Sequence, residues 1–215
     1  MTKVFLASRN RGKLAEMQRI LAARVPGVEV LGLDDVVEYD EPPETEPTFE
    51  GNALIKARAG LAATGLPSLA DDSGICVDAL NGMPGVLSAR WSGTKEKDGS
   101  TDAANNELLL AQLADVPDER RGAHFTCAVA LFSPSTDGGV REHVVHVVHG
   151  TMPGRVIREM RGSVGFGYDV LFVPDDQAGA LTSAELPAEE KDAISHRGKA
   201  LREIAPYVTD VLLGH

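Results

Sequence analysis

The chain has 215 residues, of which 43% are apolar, and it carries a formal net charge of −11 at pH 7. This length and composition suit one buried core in a single domain over residues 1–215, and the excess of acidic residues argues against a surface that binds nucleic acid. The N-terminal apolar run covers residues 4–7, so we expect a cytoplasmic protein without a secretory leader or a membrane span. Cys76 and Cys127 lie in apolar, strand-like runs, and we expect both to be reduced thiols.

The first residues predict a strand over 4–7, a polar loop over 8–12 and a helix from Lys13 onwards. Such a unit presents backbone N–H groups and the positive end of the helix dipole to an anion, and Arg9, Arg11 and Lys13 add positive charge. The loop has a single glycine and is not a Walker A motif. The alternative is a strand and helix whose basic side chains are merely solvated.

The next segments predict a strand over 28–33, an acidic loop with prolines over 41–47 and a helix over 48–63. Short strands over 68–70 and 75–80 follow, on either side of Asp71 and Asp72. Adjacent carboxylates need an offsetting cation or hydrogen bonds, and Mg²⁺, which prefers oxygen ligands, is the candidate. The alternative is a strand-end turn in which both aspartates cap backbone groups and Gly74 supplies the turn.

A helix over 101–114 and a hairpin around residues 137–139 are predicted next, with strands over 123–132 and 140–148. The histidines at 143, 146 and 149 alternate between the two faces of the second strand, so they cannot converge on one metal ion.

Residues 162–169 combine three glycines with two aromatic rings and a carboxylate, which predicts a loop where backbone approaches a ligand. Phe166 and Tyr168 could stack on a planar base, and Asp169 could accept hydrogen bonds from ring N–H groups. The alternative is a glycine-rich turn whose aromatic side chains lie in the core.

Ser195 predicts the N-cap of a last helix, which Pro206 should kink or split. His196 and Arg197 then lie in its first turn, where cations oppose the helix dipole. We therefore expect these two side chains to pair with an acceptor-rich ligand.

Together, six segments resemble, in their order, the inosine triphosphate pyrophosphatase family, which cleaves non-standard purine nucleoside triphosphates. The segments are Ser8-x-Asn10-x-x-Lys13, Thr48-Phe-Glu-Gly-Asn-Ala-Leu-Ile-Lys-Ala57, Ala70-Asp-Asp-Ser-Gly74, Pro84-Gly-Val-Leu-Ser-Ala-Arg-Trp-Ser-Gly93, Gly165-Phe-Gly-Tyr-Asp169 and Ser195-His-Arg-Gly198. The chain departs from the family at Trp91, where a tyrosine is more usual, and in the polar loop over residues 95–100.

The resemblance implies an α/β fold, with a long, mixed, twisted β-sheet flanked by helices and an active-site cleft between two lobes. It implies a homodimeric hydrolase that converts ITP, dITP or XTP to the monophosphate and pyrophosphate and so cleanses the nucleotide pool. Asp72 would be the catalytic carboxylate and would bind Mg²⁺ with Glu44. The implied substrate-binding residues are Ser8, Arg9, Asn10, Arg11, Gly12, Lys13, Ser73, Phe166, Gly167, Tyr168, Asp169, Lys191, His196 and Arg197.

Two alternatives stay open: a nucleotide-binding sensor without turnover, and a pyrophosphatase that acts on other modified nucleotides. Hypoxanthine and xanthine present an acceptor at C6 where adenine presents a donor, so a donor-only group such as Arg197 favours the first two bases.

Overall fold

A computed structural model describes residues 2–93, 101–134 and 143–214. The predicted polar loop over 95–100 and the predicted turn at 137–139 lie outside these residues. The strands are β1 Thr2–Leu6, β2 Val28–Leu31, β3 Ser68–Val77, β4 Gly122–Pro134, β5 His143–Val156 and β6 Phe172–Pro174. The helices are α1 Arg11–Ala22, α2 Phe49–Thr64, α3 Asp102–Gln112, α4 Ala188–Ile194 and α5 His196–Leu213, with short 3₁₀ turns between some elements.

Within the described residues, the strands form one sheet in the order β2-β1-β3-β4-β5-β6. Strand β1 pairs in parallel with β2 and with β3, whereas β5 pairs antiparallel with β6. The sheet is therefore mixed, and the predicted α/β fold with flanking helices is confirmed.

Some predicted boundaries were wrong. The predicted strands at 68–70 and 75–80 are one continuous strand, β3, which contains both aspartates, and Asp78–Leu80 forms a 3₁₀ turn. Gly74 lies inside this strand, and a glycine is required there because a Cβ would meet Ser88 Oγ and, at 2.5 Å, the carbonyl oxygen of Gly85. Helix α5 is not split at Pro206, while a kink at that position stays a prediction.

The chain divides into two compact units. Unit one comprises Met1–Asp72, Cys127–His149 and Gly198–His215, and unit two comprises Ser73–Thr126 and Gly150–Arg197. Strands β3, β4 and β5 each contribute residues to both units.

The core of unit one has two layers because alternate residues of a strand point to opposite faces of the sheet. Leu69 of β3 belongs to one buried cluster together with residues of α1 and α5, whereas Ala70 belongs to a second cluster with residues of α2. Small residues keep α2 close to the sheet. At Gly60, a Cβ would meet Ser68 Oγ and, at 2.7 Å, the ring of Phe5.

The core of unit two packs α3 against β3, β4, β5 and residues 168–172. Arg121 is fully buried among these elements, and its guanidinium donates to the carbonyl oxygens of Leu113, Val156 and Ile157. Burial lowers the pKa of Arg121. Within the part of the chain that the structure describes, no helix is both long and apolar enough to cross a membrane.

Candidate active site

The N-terminus of α1 is held by a side-chain cap. Asn10 Oδ1 accepts from the N–H groups of Gly12 at 2.9 Å and Lys13 at 3.2 Å, while Ser8 Oγ accepts from the Asn10 N–H at 3.1 Å. This cap starts the helix at Arg11, two residues earlier than the sequence predicts. Ser8, Asn10 and Lys13 are therefore brought together at one helix end, whereas Arg11 is exposed.

Lys13 reaches from this helix end to Asp71 on β3. Its Nζ lies 2.9 Å from one carboxylate oxygen and 2.8 Å from the other. The Asp71 side chain is 4% exposed and that of Lys13 is 19% exposed, so the pair is largely withdrawn from water. A buried carboxylate is stabilised when a cation meets both of its oxygens.

Asp72 points the other way along the alternation of β3 and meets helix α2. Lys56 Nζ lies 3.0 Å from Asp72 Oδ1, and Asn52 Nδ2 donates to Asp72 Oδ2 at 3.1 Å. The same Lys56 Nζ lies 3.0 Å from Glu44 Oε1. One ammonium group therefore lies between the two carboxylates that the resemblance assigns to the metal.

The pKa values of this cluster follow from burial and from its charges. Burial raises the pKa of Asp72, Lys56 opposes that rise, and Glu44 adds to it, so the pKa ends above its ordinary value. For Lys56, burial acts to lower the pKa, but attraction to Asp72, Glu44 and Asp71 outweighs it and the pKa is raised. Lys56 is therefore a charged ammonium group at neutral pH.

The donor set at Asp72 and Glu44 fits Mg²⁺. Both side chains offer carboxylate oxygens and face one positive charge, the Lys56 ammonium, which marks the position as one that accepts a cation. Within residues 2–93, 101–134 and 143–214, no group of three or more His, Cys, Asp or Glu side chains is arranged to hold a metal ion. Two carboxylates suffice for Mg²⁺, which fills its other positions with water and substrate phosphate.

Arg9 lies apart from this cluster in its contacts. Its guanidinium pairs with Asp34 at 3.0 Å and with Glu41 at 2.8 Å, and all three side chains are exposed. The hydrogen bond that Arg9 donates to Glu41 is the main cause that raises the pKa of Arg9. The contact ties Arg9 to the start of the acidic loop that carries Glu44.

Unit two holds the second predicted set, on the loop over residues 162–169. Phe166 is 53% exposed, whereas Tyr168 is 4% exposed and its hydroxyl donates to the carbonyl oxygen of Ser88 at 2.9 Å. Burial raises the pKa of Tyr168. The ring of Phe166 is therefore accessible at the surface of the loop, whereas the ring of Tyr168 lies in the core.

Asp169 and Lys191 fix the backbone of this loop. Asp169 Oδ2 accepts from the Phe166 N–H at 3.0 Å and from Lys191 Nζ at 2.6 Å. Gly165 has a positive φ of 94°, and a Cβ there would meet Asp169 and, at 2.8 Å, Lys191 Nζ. In this structure the two charged side chains thus satisfy each other.

His196 and Arg197 begin α5, directly after Ser195, as the sequence predicts. Arg197 Nη2 donates to Ser73 Oγ at 3.1 Å, and its guanidinium carbon lies 5.7 Å from the centre of the Phe166 ring. His196 stacks on Phe125 with ring centres 4.9 Å apart. Ser73, Phe166 and Arg197 are therefore neighbours in unit two.

Sequence reasoning assigned no role to Lys56 or Asn52, although both lie in a quoted motif. A signal was present, because these two residues are four apart on a predicted helix and so share one face. Asp102 and Asn106, which hold Gly167, were also missed, and no local pattern distinguishes them from ordinary helix residues.

Comparisons with known proteins cover nearly the whole chain. The profile of the Ham1 family matches residues 4–207. A dITP/XTP pyrophosphatase of Nocardia farcinica is 61% identical over 207 residues, which are 96% of this chain and 94% of the relative. The dITP/XTP pyrophosphatase of Mycolicibacterium paratuberculosis is 59% identical over 207 residues, which are 96% of this chain and 95% of the relative.

Solved structures agree. A nucleoside-triphosphatase, dITP/XTP pyrophosphatase, from Mycobacterium abscessus is 55% identical, with a TM-score of 0.73, covering 95% of this chain and 99% of that one. A HAM1 protein from Coxiella burnetii is 40% identical, with a TM-score of 0.80, covering 98% of this chain and 100% of that one.

Proposed function

The chain belongs to the Ham1 family, and from that premise we propose that it hydrolyses dITP, ITP and XTP to the nucleoside monophosphate and pyrophosphate, and so cleanses the nucleotide pool. Relatives that are up to 61% identical over nearly their full length are named for this activity. A nucleotide-binding sensor and a pyrophosphatase for other modified nucleotides are the outcomes that the experiment below would have to exclude.

The observation that carries the proposal is the buried set of two adjacent carboxylates, each with its own lysine. Asp71 pairs with Lys13 and Asp72 with Lys56, at 2.8 to 3.0 Å. Burying two ion pairs side by side stabilises a fold little, since apolar side chains of similar size serve a core as well or better. A site that handles polyphosphate and metal has a use for such charges.

In the proposed reaction, Ser8, Asn10 and Lys13 hold the phosphates, and Asp72 is the catalytic carboxylate. Arg9, Arg11 and Gly12 belong to the same loop and are proposed with it. Phosphoryl chemistry demands positioning and charge stabilisation more than covalent help from the protein. Bound by Asp72 and Glu44, Mg²⁺ would supply neutralisation of the phosphate charge.

The purine base of the substrate is proposed to bind to residues of unit two. Phe166 offers a half-exposed ring for stacking, and Arg197 is a donor beside that ring. A donor-only group suits the C6 oxygen of hypoxanthine and xanthine. The proposed set of substrate-binding residues is completed by Ser73, Gly167, Tyr168, Asp169, Lys191 and His196. Tyr168 is buried, so its proposed contribution is to support the loop from the core.

The decisive experiment measures pyrophosphate release from ITP, dITP, XTP, ATP, GTP and CTP with Mg²⁺, comparing the wild type with Asp72→Asn. We expect turnover of the first three nucleotides and its loss in the variant. Binding of ITP without pyrophosphate release would instead support a sensor. Preferred turnover of CTP, or of another nucleotide outside the inosine and xanthosine group, would support a different pyrophosphatase.

We also propose that residues 1–215 form one pyrophosphatase domain, that two copies form a homodimer, and that the protein acts in the cytoplasm. The family resemblance supports the dimer, and the length and apolar content of the chain support the single domain. Sedimentation at two protein concentrations tests the dimer, and fractionation of the source cells tests the location. Cys76 and Cys127 are free thiols, in keeping with a reducing compartment.

A further inference from the structure

Helix α3 is hydrogen-bonded to the loop that carries Phe166. The N–H of Gly167 donates to Asp102 Oδ2 at 2.6 Å, and the carbonyl oxygen of Gly167 accepts from Asn106 Nδ2 at 2.8 Å. Asp102 and Asn106 are four residues apart and therefore lie on one face of the helix. Both backbone polar groups of Gly167 are thus held by a regular element.

Without these hydrogen bonds, the backbone at Gly167 would have much conformational freedom. Gly167 has a φ of 61°, in the left-handed region that favours glycine, and a Cβ there would meet nothing within 4 Å. Glycine therefore serves the conformation at this position, since space does not require it. A glycine in a loop has much conformational freedom, and two hydrogen bonds to a helix remove most of it.

Asn106 is a poor choice for a core position if stability alone matters. It is 2% exposed, and its Nδ2 also donates to the carbonyl oxygen of Asp102 at 2.8 Å. Its Oδ1 is buried and has no hydrogen-bond partner among the residues that the structure describes. A buried amide oxygen without a partner is destabilising, so the residue is better explained by its hold on Gly167.

The other side of the Phe166 backbone is fixed as well. Its N–H donates to Asp169 Oδ2 at 3.0 Å, and Lys191 Nζ meets the same oxygen at 2.6 Å. The ring is nevertheless 53% exposed and lies beside the Arg197 guanidinium. A rigid backbone therefore presents an open ring next to a donor.

We infer that Asp102 and Asn106 are positioning residues for base recognition, which fix Gly167 so that the Phe166 ring stays aligned with the Arg197 donor. This inference rests on the proposed function. A loose ring would still stack on any purine, because every base has a flat face. Reading the C6 group requires the stacked base and the donor to be aligned. The hydrogen bonds that Gly167 makes with Asp102 and Asn106 should therefore affect discrimination between bases more than they affect stacking.

The test compares Asp102→Ala, Asp102→Asn and Asn106→Ala with the wild type, measuring kcat and KM for ITP and for ATP. In the two alanine variants, the ratio of kcat/KM for ITP to that for ATP should fall about 3- to 10-fold, the worth of one hydrogen bond. Most of the loss should appear in KM for ITP. Asp102→Asn removes the same charge from the first turn of α3 but keeps an oxygen acceptor for Gly167, so it should restore most of the ratio.

Hydrogen exchange of residues 165–169 gives a readout that needs no turnover, and it should speed up in both alanine variants. If Asn106→Ala fails to fold, Asn106→Leu fills the space and removes the orphaned oxygen, and it should still lower the ratio. An unchanged ratio in an active Asp102→Ala, or equal losses in Asp102→Asn and Asp102→Ala, would overturn the inference. If the wild type releases no pyrophosphate but hydrogen exchange is still faster in the alanine variants, the two residues do position the loop and the proposed function is overturned.

Discussion

At the scale of single residues, the two adjacent aspartates differ in what surrounds them. Asp71 has a lysine at both of its oxygens, whereas Asp72 shares its lysine with Glu44 and has a raised pKa, with burial as the main cause. A raised pKa means that folding disfavours the charge of that carboxyl group. The two positions should therefore respond differently to neutral substitution.

We predict that Asp72→Asn abolishes most activity without lowering stability. Activity should fall on the order of 10²- to 10⁴-fold, as for other positioned acid–base groups. The melting temperature should stay level or rise, because Lys56 keeps Glu44 as a partner and a disfavoured charge is removed. Pyrophosphate release and thermal unfolding at pH 7 check both statements.

Asp71→Asn is the matched control, with the same change one residue away. It leaves Lys13, which is 19% exposed, without a full countercharge, and it should cost about 1 to 3 kcal/mol of stability, as for a polar group that loses its partner. Its effect on activity should be smaller than that of Asp72→Asn. Near wild-type turnover in Asp72→Asn would refute the assignment, and equal losses in both variants would mean that the carboxylates act as one unit.

Tyr168 makes a prediction about alkaline pH. Burial, and then Asp102, raise its pKa above the ordinary value of about 10, so the folded protein keeps the phenol protonated where the unfolded chain loses the proton. The stability that Tyr168 contributes is therefore full below pH of about 10 and is lost as the pH rises further. The melting temperature of wild type should exceed that of Tyr168→Phe at pH 8, and the gap should shrink by pH 10.5. A gap that is constant with pH would contradict the shift.

At the scale of elements, local signals were readable and distant partners were not. The start of α5 after Ser195 follows from nearby residues, and the sequence places the start of α1 within two residues of its observed position at Arg11. Two adjacent charged residues suggested a break in the strand at Asp71 and Asp72. The lysines that offset these charges lie 58 and 16 residues away in the sequence, so they could not be recognised as partners. Such long-range partners leave no local pattern, so β3 was predicted as two strands.

The loop over residues 162–169 shows the same limit. The sequence predicts a loop with two candidate stacking rings, and it leaves open whether they lie in the core. Phe166 is half-exposed and Tyr168 is buried under the carbonyl oxygen of Ser88, a contact between residues 80 positions apart. Neighbouring aromatic residues on a loop cannot be told apart without knowing what packs beneath them.

Helix α2 depends on Gly60 for its distance from the sheet. Asn52, Lys56 and Gly60 are spaced four residues apart and lie on one face of α2. This face therefore makes the polar contacts to Asp72 and also allows the helix to approach the sheet closely at Gly60. Gly60→Ala gains helix propensity of about 1 kcal/mol, yet its Cβ would meet the fully buried Phe5 ring at 2.7 Å. Overpacking of this kind costs about 1 to 3 kcal/mol, so the clash should win.

We therefore predict a lower melting temperature and slower turnover for Gly60→Ala. Gly179→Ala is the control, since a Cβ there meets its nearest atom at 3.8 Å and should leave both quantities unchanged. Thermal unfolding and pyrophosphate release compare the two. A stabilised, fully active Gly60→Ala would show that α2 has room to move outward without disturbing Lys56.

At the scale of the whole molecule, the division into two compact units raises the question of whether they unfold separately. Three strands contribute residues to both units, so each of those strands would have to be broken for one unit to unfold alone. We predict one cooperative thermal transition, with equal calorimetric and van't Hoff enthalpies. Two resolved transitions would contradict the proposal of a single domain.

The last prediction concerns metal, because a chain with a formal net charge of −11 must offset its own carboxylates before it can hold a triphosphate. Excess EDTA should abolish activity, and Mg²⁺ should restore it. Glu44→Gln should raise the half-maximal Mg²⁺ concentration by about 10-fold or more, since even partners outside the metal's own ligands contribute that much to affinity.

Glu41→Gln is the matched control, with the same substitution in the same acidic loop, at a residue that pairs with Arg9 instead of Lys56. It should leave the Mg²⁺ requirement unchanged. Calorimetric titration of Mg²⁺ into each protein in the absence of nucleotide separates a change in metal binding from a change in turnover. Full turnover in excess EDTA, or the same shift in both variants, would show that Glu44 has no special place in the site, and the Lys56 ammonium between Glu44 and Asp72 would then be a structural contact.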